Sequence, residues 1–233
     1  MNSSTRLIQN YFDFDKAMSC VSRIGKASQR NQAADCVIHS LAATDFLTLQ
    51  DATKIAPIIN FTKKNKGILI DQIMLFLGNK LHKKIDLFTF TKNETDIITF
   101  LTTIETFLYE HLTPGYATPI TYYSLMLRQD TNGNSIQESV LGHNVVVINS
   151  SNHGIIIIDT QQNITDNFQN YFKNQAPNVH NLYLYFESDL PDSAMDVVAD
   201  PYDFTKGGKH KLNKKRKSTM KRKSKRRKHE KKK

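Results

Sequence analysis

"GHNVVVINSSNHGIIIIDTQ", residues 142–161, holds two runs of β-branched residues on either side of a polar turn. Runs of this kind, bounded by Ser, Asn and Gly, spell a β-hairpin. Both strands are apolar at consecutive positions, the pattern of strands covered on both faces. Each strand also carries an ionisable group at its open end, His143 on the first and Asp159 on the second. A turn centred on Ser151 sets Ile148 across from Gly154, Val147 across from Ile155 and His143 across from Asp159. Directly opposed residues on antiparallel strands hold their Cβ atoms about 4.5–5.5 Å apart, within reach of an imidazole–carboxylate hydrogen bond.

Outward from the hairpin, the second half of the chain reads as sheet. "ITYYSLMLRQD" (120–130) and "NLYLYFES" (181–188) are strand-like, and "TNGN" (131–134) is a turn. The first half reads as helix. A short helix opens at Cys36 in "NQAADCVIHSLAAT" (31–44), with Asp35 as its N-cap. A second covers about Leu49 to Asn60, kinked or ended around Pro57, and a third runs from about Gly67 to Leu81. Ile97, Leu101, Ile104 and Leu108 recur at helical spacing, so Glu94 to His111 is an amphipathic helix ended by Pro114 and Gly115. The fold class is α+β: a helical N-terminal half packed on an antiparallel β-sheet.

The 233 residues, 39% of them apolar, are enough for one sizeable core. The net charge of +10 is unevenly spread: residues 206–233 hold 17 Lys/Arg against the single acid Glu230, and the remaining residues carry −6. Four segments follow: an N-terminal leader (1–28), one folded domain (29–187), an acidic linker (188–205) and a disordered basic tail (206–233). Two cysteines are too few for a disulfide framework, the N-terminus lacks a secretory pattern, and no apolar run has the length of a membrane span. A soluble protein of a reducing compartment, cytoplasm or nucleus, is expected.

The chemistry centres on Cys36. A carboxylate that takes one imidazole N–H fixes the tautomer and leaves the second ring nitrogen to accept a proton from a third group, and Cys36 suits that place. Helix N-termini and neighbouring imidazolium groups favour thiolates, whereas the adjacent Asp35 opposes one unless its side chain is occupied by capping amides. Gln161, two residues past Asp159 and on the same face, is placed to orient the pair or to bind substrate. Gln32, and after it Gln29, offer amides that could join the Cys36 N–H in holding an oxyanion.

A helix-starting Cys with Gln shortly before it, Gly-His opening a strand and Asp-x-Gln ending the next resembles the papain-like cysteine peptidase fold in its minimal form, over roughly Gln29 to Gln161. The resemblance implies Cys36 as nucleophile, His143 as general base, Asp159 as its orienter and Gln32 in the oxyanion hole, with Gln161 and Gln29 supporting. It implies hydrolysis of peptide or isopeptide bonds in a protein or ubiquitin-like conjugate, without a cofactor. The tail "KGGKHKLNKKRKSTMKRKSKRRKHEKKK" resembles the lysine-rich tails of proteins from giant DNA viruses, which adds the virion as an expected location.

Other readings stand beside these. His39, one turn after Cys36, is a rival base or a packed histidine, and Cys20 is structural. A zinc site from Cys36, His39, His143 and Asp159 has no CxxC or HExxH spacing behind it, so no metal is expected. The tail, with 17 cations and no aromatic residue, suits nucleic acid or another polyanion held without base stacking. The alternative function is therefore a non-catalytic, nucleic-acid-associated virion or nuclear protein, and a transferase or deamidase on the same three residues is a third.

Overall fold

The structure is a computed structural model that describes residues 5–19, 24, 35–63, 67–93, 96–129 and 135–188, with backbone alone at 60–63, 126–129 and 135–140. Gln29, Gln32, Cys20, the 131–134 turn and everything after Ser188, including the basic tail, lie outside the described residues. The described residues form six helices and one eight-stranded, wholly antiparallel sheet. In chain order these are β1 (Arg6–Leu7), β2 (Asn10–Tyr11), α1 (residues 14–19), α2 (Cys36–Ala43), α3 (Leu49–Lys63) and α4 (Ile70–Leu81). There follow β3 (Lys84–Thr91), α5 (Ile97–His111), β4 (Tyr116–Gln129), β5 (Ser135–Ser150), β6 (Gly154–Asp159), β7 (Ile164–Asn167), α6 (Phe168–Gln175) and β8 (Val179–Ser188). The chain is thus α+β.

The main strands run β3-β8-β4-β5-β6-β7 across the sheet. The segment read as a leader belongs to this sheet. β1 pairs with β8 (Leu7 with Phe186) and β2 with β4 (Tyr11 with Tyr116), filling the place where β4 and β8 part beyond Thr121 and Tyr183. Leu7 and Ile8 are buried there.

Helices cover both faces of the sheet, which explains the continuous apolar runs of the hairpin. On one face Val145, Val147, Ile155 and Ile157 pack with Leu101, Ile104 and Leu108 of α5 and with Phe168, Tyr171 and Phe172 of α6. On the other, Val146, Ile148 and Ile158 meet Ala17 of α1 and Ala43 of α2, while α2, α3 and α4 share a core with Ile85 and Tyr185. Each strand residue therefore serves the face its parity dictates.

Four expectations need correction. The hairpin turn is centred on Asn152, because Gly154, at φ +72°, pairs with Ser150 and Val147 with Ile157. A shift of two residues keeps every side chain on its face, so the layers survive it. Second, of the two alternatives at Pro57, a kink or an end, the end is excluded. The α3 helix continues to Lys63, held by Ile55, Ala56 and Ile59, which are fully buried and offset the roughly 3 kcal/mol a proline costs inside a helix. Third, β3 and α6 interrupt the division into a helical and a sheet half. Fourth, the α5 helix starts at Ile97 rather than Glu94, where the Asp96 carboxylate caps the amides of Ile98 at 2.8 Å and Thr99 at 3.0 Å.

Candidate active site

Because β6 pairs with β5 only over Val146–Ser150, β5 continues past the end of its neighbour on the His143 side. Extending that register sets Asp159 level with Val145, so His143 is its diagonal neighbour on the same face rather than its direct partner. Diagonal positions are still within reach of long side chains. The contact forms: His143 Nε2 stands 2.8 Å from Asp159 Oδ2, with both side chains buried. Nδ1 is left to face elsewhere, and the Cys36 thiol, at the first residue of α2, is near enough to the ring to act on its charge. Cys36, His143 and Asp159 therefore lie together, while Gln29 and Gln32 fall outside the described residues.

Asp159 is held on all sides. Its Oδ1 accepts the backbone N–H groups of Gln161 at 3.1 Å and Gln162 at 3.0 Å, the self-made turn common for aspartate, and its Oδ2 accepts the Tyr171 hydroxyl at 2.9 Å besides His143. Burial pushes its carboxyl pKa up, but the hydrogen bond and charge of His143, with the Gln162 amide and Tyr171, hold it below the usual carboxylate value. For His143, burial works against the charged ring, yet the hydrogen bonds and charges of Asp159 and Cys36 raise its pKa to about 10. A buried imidazolium flanked by two groups that can be anionic is the result.

On α2, Asp35 is the N-cap residue by position, but among the described residues its side chain makes no capping hydrogen bond. The condition under which its charge would least oppose a thiolate, a side chain spent on capping amides, is therefore not met. The Gln161 side-chain amide donates to Asp35 Oδ1, and His39 Nε2 lies 3.4 Å from Oδ2, so the carboxylate points along the helix and toward the turn after β6. Gln161 thus ties the helix carrying Cys36 to the strand end carrying Asp159, through its side chain on one and its backbone N–H on the other.

A second buried network sets the height of the helix on the sheet. Ser40, one turn after Cys36, donates to Asn144 Oδ1; Asn144 Nδ2 donates to Thr121 Oγ1 at 2.6 Å, and Thr121 shares a hydrogen bond with the Tyr185 hydroxyl. His143 and Asn144 are consecutive and so point to opposite faces, one to the thiol and carboxylate, the other to the helix that presents the thiol. Tyr122, directly opposite His143 on β4, sets its ring edge-on to the imidazole at 5.6 Å and its hydroxyl 3.2 Å from that of Tyr171. Burial, before any other cause, raises the pKa of both tyrosines, which keeps their hydroxyls protonated.

Sequence reasoning missed Asn144, Tyr122 and Tyr171. For Tyr171 a signal existed, since Phe168, Tyr171 and Phe172 recur at helical spacing after the cap Asn167. Among the described residues, no group of three or more His, Cys, Asp or Glu could hold a metal ion, and no helix is long and apolar enough to cross a membrane. Compared with protein-family models and with curated proteins, the chain matches none.

Proposed function

We propose that the chain is a papain-like thiol hydrolase. The observation that carries this reading is the grouping of Cys36, His143 and Asp159: a thiol at a helix start, close to an imidazole that is fixed through Nε2 at 2.8 Å by a fully partnered carboxylate. The thiol proton resides on His143 Nδ1, which makes the ring the imidazolium of a thiolate–imidazolium pair, and the thiolate sulfur attacks an amide or isopeptide carbonyl carbon. The resulting oxyanion is held by the Cys36 N–H, at a helix end where amides lack intrahelical partners, and by Gln32. As the C–N bond breaks, the imidazolium returns its proton to the leaving amine; His143 then activates water to release the acyl group. No step draws on a cofactor. Protein or ubiquitin-like conjugates are the substrate class, with transfer to an amine acceptor in place of water the closest variant.

The test is turnover of a peptide and isopeptide library by the full chain. Cleavage that is lost in Cys36→Ala and in His143→Ala is expected, and cleavage that persists in Cys36→Ala contradicts the mechanism.

A second reading has one observation behind it, the 17 Lys/Arg of residues 206–233. On that reading the tail holds nucleic acid or another polyanion in the nucleus or a virion, with affinity that falls steeply with salt, and the folded part is non-catalytic. Truncation after residue 205 separates the two: hydrolysis survives it on the first reading, whereas polyanion binding is lost with the tail on either.

A further inference from the structure

Asp159 offers four acceptor positions and has four donors on them, two at each oxygen. The two on Oδ1 are backbone N–H groups of its own turn and come with the fold. The two on Oδ2 are side chains from different elements, His143 of β5 and Tyr171 of α6. They share one oxygen at nearly equal distance, 2.8 and 2.9 Å. Whatever negative charge Tyr171 draws from that oxygen is withdrawn from the imidazole.

The placement of Tyr171 is built rather than incidental. Its side chain is fully buried on α6 between Phe168 and Phe172, which are fully buried as well, and the helix is capped by Asn167 at the end of β7. A tyrosine hydroxyl brings one proton, and here that proton goes to Asp159, leaving the oxygen to accept from Tyr122 at 3.2 Å. Tyr122 in turn walls the imidazole. The titratable groups around the ring are thus Cys36 from α2, Asp159 from β6, Tyr122 from β4 and, through Asp159, Tyr171 from α6; Asp35, the N-cap just before Cys36, and His39, one turn after it, pair with each other.

We propose that Tyr171 is a positioning residue of this site: by donating its hydroxyl to the carboxylate oxygen that holds His143, it limits how tightly Asp159 retains the imidazole proton. A hydrogen bond to a charged acceptor is strong enough to matter, roughly twice a neutral one. Without it the charge on Oδ2 falls on His143 alone, the imidazolium is over-stabilised, and a base that must both take and return a proton becomes slower to return it. The kinetic consequence rests on the hydrolase reading above; the effect on the ring does not.

The experiment is an NMR titration of His143 in the full-length chain, its ring signal assigned by its loss in His143→Gln. In Tyr171→Phe the midpoint is expected to rise by about half a pH unit or more, with the amide spectrum otherwise that of the folded chain. Tyr122→Phe, which leaves the Tyr171–Asp159 bond in place, shifts it less. An unmoved or lowered midpoint in a folded Tyr171→Phe chain overturns the proposal, and so does an equal shift in Tyr122→Phe, which marks altered packing. Where Tyr171→Phe does not fold, 3-fluorotyrosine at position 171 keeps the shape and donates more strongly; the midpoint then falls, and one that stays put overturns the proposal. A chain that shows these shifts and yet hydrolyses nothing contradicts the hydrolase reading alone.

Discussion

Two buried histidines stand beside the same helix start, each facing an aspartate, and they are built differently. His143 and Asp159 come from neighbouring strands and meet at 2.8 Å, with Tyr171 and two backbone amides completing the carboxylate. His39 and Asp35 lie one turn apart on α2, and their atoms approach only to 3.4 Å. That approach lacks hydrogen-bond alignment, so among the described residues neither ring nitrogen of His39 has a hydrogen-bond partner. Residue type and burial are the same in both pairs, at 8% exposure or less. What differs is orientation: strands can aim two side chains at each other across a ladder, whereas neighbours along a helix point outward side by side. Fixing a proton between two groups takes the first arrangement.

The comparison is tested first by stability. Asp159→Ala leaves a buried imidazolium and a tyrosine hydroxyl without their acceptor and is expected to cost about 3–5 kcal/mol. His39→Leu removes two ring nitrogens that have no hydrogen-bond partner among the described residues and is expected to be neutral or stabilising. Urea denaturation reads both, and equal losses would remove the distinction between the pairs.

The same pair sets the pH dependence. His143 is raised from 6.5 to about 10, so its contribution is complete below the lower value and is lost as pH climbs through the higher. Asp159 is lowered from 3.8, so its contribution is present above that value and is lost as pH falls through the folded one. Unfolding free energy should therefore hold level from about pH 4 to 6.5 and decline toward pH 10. A chain lacking both His143 and Asp159 flattens that profile.

Smaller effects come from the parts that hold α2. Asn144→Ala removes one hydrogen bond from each of Ser40 and Thr121, which keep Val37 O and the Tyr185 hydroxyl as partners, and is expected to lower stability by about 1–2 kcal/mol while slowing alkylation of Cys36. Gln161→Ala cuts the tie to Asp35 at a cost of about 1 kcal/mol. Full Cys36 reactivity in Asn144→Ala would show that the thiol does not depend on this seat.

Much of this was legible in the sequence, for reasons that also mark where it stopped. The hairpin, the faces of its strands and the meeting of His143 with Asp159 follow from periodicity, and periodicity is unaffected by a two-residue slip in register. The slip itself was not legible, because Ser-Ser-Asn-His offers several turn centres and the structure settles on the one that puts Gly154 at a positive φ. At that position a Cβ would also fall 2.2 Å from the Tyr109 hydroxyl of α5, a tertiary contact that local pattern does not encode. Asn144 hid in plain view as the residue after His143, its role fixed by a helix a hundred positions away. Asp35 reads as a cap by type and place, yet Gln161 and His39 draw its side chain away from the amides it would cap.

The central claim is that Cys36 gives its proton to His143 and not to the histidine on its own helix. Alkylation of the full chain by iodoacetamide across pH 5–10, followed at Cys36 and Cys20 by peptide mass, tests it directly. The account predicts that Cys36 reacts faster than Cys20 at neutral pH, that His143→Ala removes the advantage by about a hundredfold or more, and that His39→Leu preserves it. Equal rates at the two cysteines, or an advantage that disappears with His39 and survives without His143, would contradict it.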